Sequence, residues 1–240
     1  MALRLGFDVD GVLADFRAAF QDTARECLNR DVPLDPLDEK DTLSHLDLER
    51  VWKRIARTPN WWMGIKAYEP EEIANLYALS RAGHWEVCFL TKRPASAGDS
   101  VQFQTQWWLE QHGFYLPAVI TVPGSRGDLA NALRLDLVID DQFVNCAEVV
   151  GASPTKAVLM LREPNDTLRT HAIERGIGVV SSLAEASPVL QQVHQLLRGQ
   201  RPRLLRLAEW FRPGGDTLPH TPRVVRPLPG PAPEPERPPD

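Results

Sequence analysis

Gly6-Phe7-Asp8-Val9-Asp10-Gly11-Val12-Leu13-Ala14-Asp15-Phe16 is the stretch around which the chain is organised. Leu3, Leu5, Phe7 and Val9 alternate with other residues at the period of a strand. That strand runs straight into two aspartates one residue apart, followed by a glycine. Residues at even spacing on an extended chain share a face, which sets Asp8 and Asp10 side by side. Gly11 lets the backbone turn sharply and approach a ligand. Two neighbouring carboxylates repel unless a cation sits between them, and an all-oxygen site suits magnesium. Asp and Gly are also ordinary turn residues. An aspartate inside the strand, where a buried apolar residue is expected, favours a functional site over a plain turn.

Composition narrows the class. The chain has 240 residues, 43% of them hydrophobic, which is enough for one sizeable core and a small second module. A formal net charge of -5 excludes a general attraction to nucleic-acid polymers or anionic membranes. Cys27, Cys88 and Cys146 are far apart, show no CxxC spacing, and are odd in number, which points to a reducing compartment. The opening residues reach an acidic pair too soon for a signal peptide, and no window approaches the ~20 apolar residues of a membrane span. The expectation is a soluble, cytoplasmic protein with no membrane partner.

Working outward, Asp15 is placed to cap a helix over 16–29, with Phe16, Phe20, Ala24 and Cys27 at helical spacing. Two prolines break the chain at 32–36. A second amphipathic helix is expected within 38–57, with Leu43, Leu46, Val51, Trp52 and Ile55 as its buried stripe. Trp61-Trp62-Met63-Gly64-Ile65 follows as a loop. From Pro70 the rhythm changes. Helices are expected at 71–81, 100–112, 128–133, 142–150, 166–175 and 182–198. They alternate with strands at 85–90, 119–122, 135–139, 157–161 and 177–180. Strands joined by helices of this length form a parallel sheet with helices on both faces, an α/β Rossmann-like architecture. After Gly199 the composition shifts: eleven of the 21 prolines lie there, and the end reads as a disordered or polyproline-like tail, with 204–211 as one short helix against the domain.

Ligands of open parallel sheets bind at the carboxyl ends of the strands. Four expected strands end in polar groups: Asp8 with Asp10, Thr91 with Lys92, the Ser125-Arg126 loop, and Asp140 with Asp141. Each alone has an ordinary reading as a cap, a turn or a solvated cation. Together at successive strand ends they fit phosphoryl transfer: a carboxylate nucleophile beside magnesium, a second carboxylate for proton transfer, and a hydroxyl with a cation to hold phosphate oxygens.

The chain resembles the haloacid dehalogenase (HAD) superfamily, whose first motif is DxDG with a small apolar continuation. The fuller string from Asp8 to Phe16 is similar to the 5'(3')-deoxyribonucleotidase branch. The order of motifs agrees from residue 3 to about 182 and leaves the tail uncovered. The resemblance implies a Mg2+-dependent phosphomonoesterase working through an aspartyl-phosphate. Asp8 would be the nucleophile and Asp10 the acid/base. Asp8, Asp10 and Asp141 would hold magnesium, with Asp140 beside them, and Thr91 would bind phosphate. It also implies a HAD-like core of 1–15 and 69–198, a helical cap of 16–68 inserted after the first strand, and the 199–240 tail outside both. Phe16 falls where this branch places a base-stacking aromatic, and Trp62 lies near another such position; both also read as cap core. Two departures stand out. Arg126 occupies the place of the third-motif lysine, and Lys92 replaces a small hydroxyl residue, so Lys92 or Arg93 is a further candidate for phosphate binding.

The implied substrate is a small phosphate ester, with (deoxy)nucleoside monophosphates as the narrower class. Alternatives are a phosphatase of another small phosphate ester, a dehalogenase, which Asp10 argues against because a halide leaves without a proton, and a non-catalytic binding protein whose proline-rich tail recruits a partner.

Overall fold

The computed structural model describes residues 2–32, 43–122 and 124–197. The tail from 198 onward, the short helix expected at 204–211 and the 33–42 segment lie outside the described residues. Six strands form one sheet: β1 (Arg4–Asp8), β2 (Glu86–Thr91), β3 (Ala118–Thr121), β4 (Leu137–Asp140), β5 (Lys156–Met160) and β6 (Gly178–Val180). All pairings are parallel, in the order β3-β2-β1-β4-β5-β6. The chain leaves β1 towards one edge, then returns to build the other half from β4. β1 therefore lies at the topological switch point, where the connections on either side of it diverge and open a crevice.

The alternation at β1 arises differently from that of a half-exposed strand. Leu5, Phe7 and Asp8 are all buried, and so is Gly6. A Cβ on Gly6 would come within 2.8 Å of Leu135 Cδ1 and 3.1 Å of Leu90 Cδ1. The small residue thus serves close packing on the second face, as expected for a central parallel strand covered on both sides.

Helices cover the two faces. Leu3, Leu5, Phe7, Phe89 and Trp108 share one apolar cluster with α3 (Pro70–Gly83) and α8 (Leu183–Leu197), while Leu90, Val138, Leu159 and Cys146 share another with α5 (Arg126–Leu133) and α6 (Phe143–Ala152). Strand β3 is flanked by α4 (Val101–Gln111), and β5 and β6 are joined by α7 (Asp166–Glu174). Among the described residues no helix is long and apolar enough to cross a membrane.

Between β1 and α3 lie α1 (Phe16–Leu28), α2 (His45–Arg57) and a 3-10 turn over Trp61–Gly64, where a loop was expected. Asp15 caps α1 by accepting from Ala18 N at 3.0 Å, and Ser44 caps α2 by accepting from Asp47 N. Two expected core positions point outward: Leu46 is 68% exposed, and Cys27 is exposed at the end of α1. Leu46 lies in the first turn of α2, off the stripe set by Val51 and Ile55. The segments entering and leaving this insertion are stitched together by Asp15 N donating to Lys66 O and Tyr68 N to Leu13 O, around an isolated antiparallel bridge between Ala14 and Ala67. Its buried residues Phe20, Val51, Ile55 and Trp62 belong to the same apolar cluster as Phe7 and Trp108. Trp108 Nε1 donates to Ile65 O at 2.6 Å, fastening the insertion to α4.

Candidate active site

The carboxyl ends of β1, β2 and β4 open onto a cavity of about 720 Å³. Its lining includes Asp8, Asp10, Lys92, Arg93, Arg126 and Asp141, while the predicted Thr91 and Asp140 are buried and do not line it. Register explains the convergence: Asp8 pairs with Leu90 one residue before Thr91, and Phe7 pairs with Ile139 one residue before Asp140.

Arg126, from the first turn of α5, is the cation at the centre. Its Nη2 donates to Asp8 Oδ1 and to Leu90 O, and its Nε donates to Asp140 Oδ2 at 3.2 Å. Its side chain is 2% exposed. Among the described residues, Nη1 is buried without a hydrogen-bond partner. A buried unpaired guanidinium nitrogen costs free energy until something accepts from it. Ser125 caps α5, and Glu148 on α6 accepts from both Ser125 Oγ and Arg126 N at 3.0 Å, which fixes the start of the helix from which Arg126 projects.

Asp8 is 7% exposed. Burial first, and then the nearby Asp140, push its carboxyl well above the ordinary range, against the pull of Arg126. Asp140 is raised by burial too. Its oxygens are already taken by Arg126, Gln142 N and Asn145 Nδ2. The Asp140 carboxylate anchors Arg126 and the next turn of chain. Asp141 is half-buried against Gly11, where a Cβ would fall 2.0 Å from Asp141 Oδ2. Gly11 has φ +79°, so it supplies both the turn and the space. Burial, then Asp140, push the Asp141 carboxyl up to about 7.

Asp10 does not share its cation with Asp8. The Arg93 fork binds both its oxygens, with Nε at 2.9 Å from Oδ2 and Nη2 at 2.8 Å from Oδ1. Thr91 is buried, and its Oγ1 accepts from Arg93 N at 3.2 Å. Lys92 points the other way: it is exposed, and its Nζ is 3.4 Å from Asn145 Oδ1 at the cavity wall. The alternation of a strand end places Thr91 and Arg93 on one face and Lys92 on the opposite one. The two-residue spacing that paired Asp8 with Asp10 was thus the available signal for choosing Arg93 over Lys92.

The aromatic residues are less open than expected. Trp62 is 1% exposed; it stacks with Phe16 at 6.0 Å, and the Arg93 guanidinium carbon lies 4.9 Å from its ring centroid. Phe16 also stacks on Trp52 at 6.0 Å. Trp62 thus packs within the insertion while also lining the cavity. Phe16, Trp52 and Tyr68 are half-buried in the wall.

Arg162, at the end of β5, was not singled out in the sequence. It donates to Gly11 O and Val12 O and pairs with Glu69 at 3.0 Å, holding the loop after β1 against the base of the insertion. Burial alone would raise the Glu69 carboxyl, but bonds from Leu183 N, Ala184 N and Arg162 outweigh it and keep the group lowered.

Among the described residues no three His, Cys, Asp or Glu side chains form a ready-made metal cage. Magnesium requires less: one or two carboxylates, with water and substrate phosphate completing the shell. Charge also fits. With all four acids ionised, as a bound divalent ion would favour, Asp8, Asp10, Asp140 and Asp141 set against the guanidiniums of Arg93 and Arg126 leave two negative charges.

No protein-family model matches the sequence, and no curated protein matches it. Solved structures do. A HAD family hydrolase from Deinococcus radiodurans R1, crystallised with bound phosphate and sodium, superimposes with a TM-score of 0.55 at 15% identity, over 81% of this chain and 97% of its own. A hydrolase from Pseudomonas syringae gives 0.50 at 16% identity, over 80% and 99%. The chain has the α/β fold of the HAD-family hydrolases.

Proposed function

We propose that the protein is a magnesium-dependent phosphomonoesterase that works through an aspartyl-phosphate on Asp8. The observation that carries this reading is Arg126: a buried guanidinium bonded to Asp8, lining the cavity, with one nitrogen lacking an acceptor among the described residues. A phosphate oxygen brought to Asp8 would meet that need. Arginine presents planar paired donors suited to phosphate, so Arg126 is a fitting replacement for the lysine of the third motif.

In the first step an Asp8 oxygen bonds to phosphorus as the ester P–O bond breaks, and Asp10 gives a proton to the leaving oxygen. In the second, Asp10 takes a proton from water as that water bonds to phosphorus, releasing inorganic phosphate and restoring Asp8. Lys92 and Arg126, which line the cavity, hold the non-reacting oxygens, with Thr91 buried at the end of β2. Held by the Asp8 and Asp141 carboxylates and the Asp10 carbonyl, magnesium would neutralise the repulsion between nucleophile and phosphate.

The substrate we favour is a nucleoside monophosphate of the 5'-nucleotidase type. Phe16, Trp52 and Tyr68 in the wall support it, since stacking of one base on an aromatic ring contributes about 1–3 kcal/mol. A panel of nucleotides and sugar phosphates assayed with magnesium tests both levels. Asp8→Asn is expected to abolish phosphate release while leaving the circular dichroism spectrum unchanged. Full activity in that variant would refute the mechanism, and a preference for sugar phosphates would refute the nucleotide reading. A wild-type protein that binds magnesium and turns over nothing would favour a non-catalytic binding role.

A further inference from the structure

Arg93 makes more directed contacts than a phosphate ligand at a strand end requires. Its side chain is 0% exposed, and three of its hydrogen bonds go to Asp10: Nε to Oδ1 at 3.1 Å, Nε to Oδ2 at 2.9 Å and Nη2 to Oδ1 at 2.8 Å. Nη1 donates to Thr105 Oγ1 at 3.0 Å, deep under α4. The Thr105 hydroxyl in turn donates to Val101 O at 2.8 Å, so the anchor is itself fixed. Trp62 lies against the guanidinium, and Trp62 is held by Nε1 to Pro94 O at 3.0 Å and by its backbone N to Gln104 Oε1 at 3.2 Å. Gln104 is fully buried and donates to Asp99 O at 2.6 Å. Core helix, strand end and inserted 3-10 turn thus meet on one arginine.

We infer that Arg93 is a positioning residue, whose buried fork sets the orientation of the Asp10 carboxylate and ties it to the inserted helices through Trp62. The inference rests on the phosphatase reading above and deepens it. A carboxylate offers about four lone-pair sites; the fork occupies one side of Asp10 and leaves room for a leaving-group oxygen. The Asp10 side chain is 22% exposed, towards the cavity that the substrate would enter. Left to rotate, the same carboxylate would sample many directions, and misplacement of a reacting group by about 1 Å costs on the order of a hundredfold in rate.

Leaving-group dependence separates orientation of the proton donor from general damage. Benzyl alcohol leaves with a proton, whereas p-nitrophenolate leaves without one. Single-turnover release of each alcohol from benzyl phosphate and p-nitrophenyl phosphate isolates the first step. Arg93→Met is expected to slow benzyl alcohol release by about a hundredfold or more and p-nitrophenolate release by less than about tenfold. Arg93→Lys keeps the charge and loses the planar fork, so only partial recovery is expected. Thr105→Val removes the anchor and keeps Arg93; about three- to tenfold loss confined to the benzyl ester is expected. If Arg93→Met does not fold, the other two variants decide. Equal losses on both esters, or full recovery with lysine, would overturn the positioning role and leave the phosphatase reading standing. A wild-type protein that releases neither alcohol would overturn that reading, and this role with it.

Discussion

Replacing Asp141 by Asn should stabilise the metal-free protein at neutral pH while impairing magnesium binding. The Asp141 carboxyl rises from 3.8 to about 7, through burial first and then the charges of Asp140 and Asp10. Its folded-state value lies above its unfolded value, so the native state holds the proton more tightly. The associated stability is fully present below about pH 4 and is lost as the pH rises through about 7. At ~1.4 kcal/mol per pKa unit the ceiling is ~4 kcal/mol. Asp8, Asp10 and Asp140 share that repulsion, so neutralising one member recovers about half, ~2 kcal/mol. For a domain of this size that is ~4–8 °C in Tm. Thermal unfolding followed by circular dichroism in chelator, from pH 4.5 to 7.5, reads it directly. The variant should unfold well above the wild type at pH 7.5, and the gap should close towards pH 4.5. Adding magnesium at about a hundredfold over Kd should stabilise the wild type by ~2.7 kcal/mol and the variant far less. A variant no more stable than wild type at pH 7.5 without metal would refute the charge argument. Equal magnesium responses would remove Asp141 from the metal site.

Gly11→Ala combines a left-handed backbone at φ +79° with a Cβ 2.0 Å from Asp141 Oδ2. It is expected to cost ~1–3 kcal/mol in urea unfolding and to displace Asp141, with magnesium affinity, measured calorimetrically, falling further than stability does. On α2, Ile55→Ala should cost ~2–5 kcal/mol because it empties a fully packed site. Leu46→Ala should change stability by less than ~0.5 kcal/mol, since that side chain is 68% exposed. Matched urea curves test both, and a large loss at Leu46 would contradict the burial seen for this helix.

Much of the fold was legible because helices and strands carry local signatures. The start of α1 follows the cap expected at Asp15, whereas the caps of α2 and α4 at Ser44 and Ser100 emerge only in the structure. Boundaries moved by a few residues where a backbone feature intervened. Gly83, expected beyond the end of α3, is its last residue, and His84 takes the left-handed cap at φ 54°. Leu46 and Cys27 defeated the periodicity argument because a short helix can bury its stripe at several rotations, and only its neighbours choose among them.

Asp8-Val9-Asp10-Gly11 by itself determined that a strand ends in an acidic, tightly turning site, and the alternating elements after Pro70 determined a parallel α/β sheet. Those are properties of residues a few positions apart, so composition and spacing carry them. The partners of those acids were decided only in three dimensions. Arg126 stands 118 positions from Asp8, and Arg93 stands 83 positions from Asp10. Strand order brings them together: β2 lies beside β1 and its end delivers Arg93 to Asp10, while α5, which leads into β4 on the other side of β1, delivers Arg126 to Asp8. The same order turned Asp140 inward to Arg126, left Lys92 at the rim, and covered Trp62 with Arg93 and Phe16. Ion pairing and burial depend on what lies across a sheet, which no local pattern in the chain records.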